Sequence, residues 1–125
     1  MSTIKKFEDL QCWQESRVLA NFILDICEVE PVSKQFRLRD QLSSAAISVM
    51  NNIAEGFGRF SNREFIRFLN FSSSSCLEVR SMGYLLFDRK IIDAPKFEEL
   101  IHLTNNTNAK ILGFVKYLNN HISKK

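Results

Sequence analysis

Arg59, Arg63 and Arg67 recur at intervals of four residues. On a helix or a tightly turned junction, that spacing puts successive side chains on one surface. A guanidinium is permanently charged and presents a planar fork of donors that suits a phosphate. The triplet is therefore a candidate contact for an RNA or DNA backbone. Lys34, Arg37 and Arg39 form a second basic group upstream, and Arg89 and Lys90 a third downstream. The plain alternative for each group is a solvated or ion-paired face. Aromatic residues are interleaved in RFSNREFIRF, but Phe65 and Phe68 fit a core pattern.

A different chemistry is written into Gln41, Ser44, Ser48, Asn51 and Glu55, which follow at steps of three, four, three and four. They make a structural polar seam along one helix. A buried carboxylate without a partner is strongly destabilising. Glu55 is therefore expected to be at least partly buried and bonded to Arg80, with Arg39 the second choice.

Catalytic groupings are not expected. His102, His121, Cys12, Cys27 and Cys76 fit no metal-ligand spacing. Gly56-Phe57-Gly58 lacks the strand context and third glycine of a phosphate loop. Glu78 and Asp88 are ten residues apart on one segment, with no second carboxylate placed to make a dyad. Neither histidine has a claim on the Ser72–Ser75 run. No catalytic residue, metal or cofactor is expected, and the chain is read as not an enzyme.

The elements that position these residues follow from pattern. The chain has 125 residues, with only four Gly and two Pro. Few turn residues favour a handful of long helices. The first is expected from about Asp9, its N-cap, to Glu30, where Pro31 stops it. It carries two apolar stripes, one through Leu10, Trp13, Arg17, Ala20, Leu24 and Cys27, the other through Cys12, Leu19, Ile23 and Ile26. The second runs from about Phe36 to Phe57, with a core stripe of Leu42, Ala46, Val49, Ile53 and Phe57 and with Gly56 and Gly58 as left-handed caps. The third runs from about Asn62 to Lys90, opened by the capping box of Ser61 and Glu64. Its stripe is Phe65, Leu69, Ser72, Cys76, Val79, Gly83 and Leu86. The fourth runs from about Ala94 to Ile122, capped by Asp93, with a heptad seam from Phe97 through Thr104 and Asn108 to Ile122. Links of roughly five, four and three residues between long helices predict antiparallel neighbours. The fold expected is all-α, an antiparallel up-down-up-down four-helix bundle, a single domain with an ordered core over about 7–122. The eleven Phe are assigned to packing.

Charge is unevenly spread. The net charge is only +3, yet residues 7–30 carry six acids against Arg17 alone, and residues 31–90 carry nine bases against five acids. Such polarity suits intramolecular or intersubunit pairing. The double stripe on the first helix adds the expectation of a homo-oligomer. No apolar run reaches the 18 residues of a membrane span, and MSTIKKFEDL has no signal-peptide core. An odd cysteine count without a secretion signal points to a reducing cytoplasm.

FEDLQCW (Phe7 to Trp13), RDQLSSAA (Arg39 to Ala46), NNIAEGFGR (Asn51 to Arg59) and the SxxE of Ser75 to Glu78 resemble the four-helix bundle protein family, also called the 23S rRNA intervening-sequence protein family. The resemblance runs from Phe7 to about Leu118. It implies a cytoplasmic bacterial four-helix bundle without enzymatic activity, assembled as a homopentameric ring. It also implies a relation to accessory proteins of diversity-generating retroelements, which bind a reverse transcriptase and nucleic acid. Ser74 stands where the family commonly has Gly, and Ser43 where it commonly has Arg, so a base expected soon after Gln41 is missing. Two classes of function stay open: a nucleic-acid-binding oligomer, and a structural or protein-partner-binding module that never touches nucleic acid.

Overall fold

The computed structural model describes residues 4–123, with side chains through His121. The described residues form four α-helices: α1 (Gln11–Cys27), α2 (Phe36–Phe57), α3 (Asn62–Asp88) and α4 (Ala94–Ser123). Short 3₁₀ turns at Phe7–Asp9 and Val32–Lys34 precede α1 and α2. The described residues contain no strand.

Contacts between neighbouring helices run in opposite senses. Across α2 and α3, Gly56 meets Phe65, the Ser72 hydroxyl donates to the Val49 carbonyl, and Gln41 Nε2 donates to Glu78 Oε2 at 3.3 Å. Across α3 and α4, Phe65 packs on Phe114, Ser73 Oγ donates to Asn108 Oδ1 at 2.6 Å, and Phe87 stacks on Phe97. Lys110 reaches Gln11, and Lys96 reaches the Phe22 ring, across α4 and α1. In each pair residue numbers rise on one helix as they fall on the other, the register of antiparallel packing. Each helix touches two neighbours, and neither diagonal pair makes a close approach among the described residues.

The α3 stripe is buried throughout, from Phe65 to Leu86. Its serines serve both neighbours: Ser72 bonds α2, Ser73 bonds α4, and Ser75 Oγ donates to Ser48 Oγ at 2.9 Å. Those bonds offset the weak helix preference of a serine run. Ser61 Oγ accepts the Glu64 amide at 3.1 Å, half of the expected capping box, and Asp93 Oδ1 accepts the Lys96 amide at 3.0 Å as the α4 cap.

Several expectations need correction. Asp9 does not cap α1; it lies in the 3₁₀ turn, and extended Leu10 begins the helix. The helix then ends at Cys27, short of Pro31. Both of its stripes reach the core: Cys12, Leu19, Ile23 and Ile26 are buried and joined by Ser16, and Leu10, Ala20 and Cys27 of the other stripe are buried too, while Trp13 and Leu24 are half-buried and Arg17 is exposed. In α4 the seam members Thr104, Ile111 and Leu118 are buried as expected, joined by Leu100 and Thr107 from beside the seam, while Phe97, Ile101, Asn108 and Val115 are half-buried. Ile122 falls outside the described side chains. No glycine among the described residues has a positive φ, and Gly58 is right-handed at φ −79°. The left-handed position is instead Lys90, φ 61°, where the Ile91 amide reaches back to the Leu86 carbonyl and closes α3.

Candidate nucleic-acid interface

The α2–α3 junction is four residues long, from Gly58 to Ser61. Just before it α2 and α3 pack closely at Gly56. Gly56 is buried, and a Cβ on it would lie 2.7 Å from Phe68 Cβ and 2.8 Å from Phe65 Cδ1. The turn throws Arg59 and Phe60 outward, and α3 then starts at Asn62.

Arg59, Arg63 and Arg67 are all exposed. Arg59 lies in the turn rather than on α3, yet its guanidinium returns over the Phe68 ring, 4.5 Å from the centroid. Arg67 lies 5.8 Å from the same ring and 5.2 Å from the Phe71 ring. Phe68 and Phe71 pack edge to face at 5.7 Å. A cation within about 6 Å of a ring face is attracted by its quadrupole. The junction thus gathers Arg59 and Arg67 on one aromatic surface, with Arg63 one turn of α3 before Arg67. Glu64 pairs with Arg67 at 3.2 Å and takes up part of that charge.

The eleven Phe are not all packing residues. Phe60 is fully exposed, Phe71 is 44% exposed and Phe68 is half-buried. Phe at helical spacing is usually core, which is why all eleven are expected to pack and why Phe68 is expected in the core beside Phe65. Phe60 precedes α3 and Phe71 lies beside the stripe, so neither can turn inward. The signal was the RFSNREFIRF interleaving itself.

The second basic group lies at the far end of α2, whose 22 residues span about 33 Å. Lys34 is paired with Glu30 at 2.7 Å, just past the end of α1. Arg39 donates to the Ser33 carbonyl at 3.2 Å, lies 3.6 Å from Asp40 and covers the Phe36 ring at 4.9 Å. Arg37 is exposed, without an ion pair among the described residues. Two of these three cations are already engaged at home.

The polar seam divides. Ser48 accepts bonds from Ser75 and Asn52, and Gln41 reaches Glu78. Ser44, Asn51 and Glu55 are exposed in the single chain. Glu55 makes no ion pair with Arg80 or Arg39 among the described residues, contrary to expectation. Register explains this: Gln41 is level with Glu78, so Glu55, fourteen residues along α2, lies about 20 Å from the level of Arg80. Arg39 is farther still on the same helix. Arg80 Nε is buried without a hydrogen-bond partner among the described residues.

The cysteine thiols are poor nucleophiles. Burial pushes Cys12 and Cys76 up from 9.0 to about 11, and it also pushes Cys27 up. No group of three or more His, Cys, Asp or Glu is gathered among the described residues. No described helix is long and apolar enough to cross a membrane.

Fold and surface together define an all-α four-helix protein with a basic, aromatic end. The family model of the 23S rRNA-intervening sequence protein matches residues 8–113, and the chain belongs to that family. No curated protein matches the chain closely.

Proposed function

We propose that this chain is a non-enzymatic, oligomeric bundle protein of the cytoplasm that binds RNA or DNA backbones through the α2–α3 junction. The observation that carries the reading is the placing of the Arg59 and Arg67 guanidiniums 4.5 and 5.8 Å from the Phe68 ring centre, beside the open Phe60. A cation–π contact restrains a guanidinium while leaving N–H donors for a phosphate. Arg63 adds a third charge on the same end. Backbone contacts position a nucleic acid without reading its sequence, so binding is weakly specific. A homopentameric ring, the assembly proposed here, repeats the cluster on every subunit, and weak contacts add by multivalency.

A filter-binding titration of labelled RNA and DNA at about 50 mM salt tests this. Binding of both, weakened by added salt, is the expected result; no binding at that salt overturns it. Sedimentation equilibrium tests the assembly, and a monomer mass at micromolar concentration rejects it.

A second reading has its own observation. Leu77, Tyr84 and Leu85 are about half exposed along the outer side of α3. A structural or partner-binding module with no nucleic-acid contact would use that apolar surface, and loss of RNA and DNA binding in the filter titration would select it.

A further inference from the structure

We propose that a cleft at the junction end of the bundle receives one unstacked nucleobase of a single-stranded nucleic acid, while Arg59 holds the adjoining phosphate. The inference rests on the backbone contact proposed above and names which form of nucleic acid that contact selects. The cleft is an open depression of about 520 Å³ between the α2–α3 junction and the end of α4. That volume lies in the range of small-ligand sites.

Its walls are aromatic. Phe65 sets its edge against Phe57 at 6.1 Å and Phe114 at 5.3 Å, and Phe114 stacks on Tyr117 with planes only 7° apart. The Tyr117 ring lies 4.0 Å from that of His121. Flat aromatic walls suit a flat heterocycle, and stacking on such rings is tolerant of base identity.

Its polar groups are of the kind that read a base edge. Asn62 lines the cleft, half-buried, and offers both an amide donor and a carbonyl acceptor. His121 Nδ1 lies 2.9 Å from the Tyr117 carbonyl oxygen. A carbonyl only accepts, so Nδ1 carries the hydrogen and the neutral ring keeps Nε2 as an acceptor facing outward from that bond. Ser61 Oγ accepts the Glu64 amide and keeps its own hydrogen to donate.

The charge at the mouth selects the ligand class. Arg59 lines the cleft and its guanidinium also lies over the Phe68 ring, so it joins the cleft to the basic surface. On the other side Ile4 lines it, followed directly by exposed Lys5 and Lys6. A neutral apolar ligand has no use for that rim; a base carrying a phosphate uses both parts. A duplex keeps its bases stacked and paired, and so reaches the arginines without filling the cleft.

The test is fluorescence anisotropy of the full chain with four labelled probes: oligothymidine, oligouridine, an abasic strand of equal charge, and a duplex. Each probe is about ten nucleotides long, within the usual single-strand site size. The parent should bind the better of the two base-bearing strands at least about tenfold more tightly than the abasic strand or the duplex. Which of thymidine and uridine binds better identifies DNA or RNA as the strand. Asn62→Ala and Tyr117→Leu should each remove about tenfold of that preference and leave abasic binding unchanged, with circular dichroism confirming the helix content. Should Tyr117→Leu fail to fold, Asn62→Ala alone decides. Equal binding of abasic and base-bearing strands overturns the cleft assignment and leaves the backbone contact standing. No binding of any probe overturns both.

Discussion

The Arg59 guanidinium lies 4.5 Å from the centre of the Phe68 ring, although Arg59 precedes α3 and Phe68 is near its second turn. The contact ties the junction to the helix and fixes where a positive charge is held. A lysine cannot reproduce it, because an ammonium is a hydrated point charge without a stacking plane. Arg59→Lys should therefore weaken RNA binding by about two- to fivefold, the equivalent of about 0.5–1 kcal/mol for an exposed cation–π contact. The salt slope should stay unchanged, since the charge count is the same. Parallel titrations of parent and variant across a salt series check both points.

That platform depends on a close helix approach. A Cβ at Gly56 would meet the Phe68 Cβ at 2.7 Å, and a β-carbon cannot swing aside as a side-chain tip can. Overpacking costs about 1–3 kcal/mol, against up to about 1 kcal/mol gained in helix propensity. Gly56→Ala should thus destabilise by about 1–2 kcal/mol. At Gly83 the atom met, at 2.5 Å, is the Leu100 Cδ2 tip. Gly83→Ala should cost less than Gly56→Ala. Urea denaturation of the two variants ranks them.

How much of this was legible beforehand varied by helix. The bounds of α2 and the whole α3 stripe follow from periodicity, because their apolar residues occupy one face each. In α1 the core stripe includes Ser16, fully buried with its hydroxyl donating to the Trp13 carbonyl at 2.7 Å. A serine that satisfies itself locally leaves no apolar mark. In α4 the fully buried Thr107 leaves no apolar mark either and fell outside the expected seam, whereas Thr104, whose hydroxyl donates to the Leu100 carbonyl at 2.9 Å, fell within it. The arginine triplet was legible as a spacing. Its aromatic support was not, because a Phe beside a core stripe looks like a member of it. The Glu55–Arg80 pairing failed for want of interhelical register, which depends on how Gly56 and the α3 serines set the two helices together.

Two local misfits should be relieved by substitution. Lys90 holds φ 61°, where a Cβ is strained and glycine is not. Lys90→Gly should stabilise the protein by about 1 kcal/mol. The Thr107 hydroxyl is fully buried without a hydrogen-bond partner among the described residues. Thr107→Val keeps the shape, removes the orphaned group and should add about 1 kcal/mol or more. Thermal melts of each variant should rise; a fall in either would contradict the corresponding reading.

Stability should decline in alkali through the buried thiols. The Cys12 and Cys76 thiols rise from 9.0 to about 11, chiefly by desolvation. Above pH 9 the unfolded chain releases these protons while the folded chain keeps them. Their stabilising contribution is therefore whole below pH 9 and is lost as pH rises towards about 11. Denaturation curves from pH 8 to 11 should show a steeper decline for the parent than for the combined Cys12→Ala and Cys76→Ala variant.

The most direct measurement is the salt dependence of RNA binding by the parent and by the combined Arg59→Ala, Arg63→Ala and Arg67→Ala variant. All three side chains are exposed, so the variant should keep its helix content and its sedimentation behaviour. Each phosphate neutralised contributes a slope of about −0.7 to −0.9 in log affinity against log salt. Losing three charges should flatten the slope by about 2 for every subunit in contact and weaken binding at low salt. A variant that binds as tightly as the parent, with the same slope, would contradict the assignment of nucleic-acid binding to the α2–α3 junction.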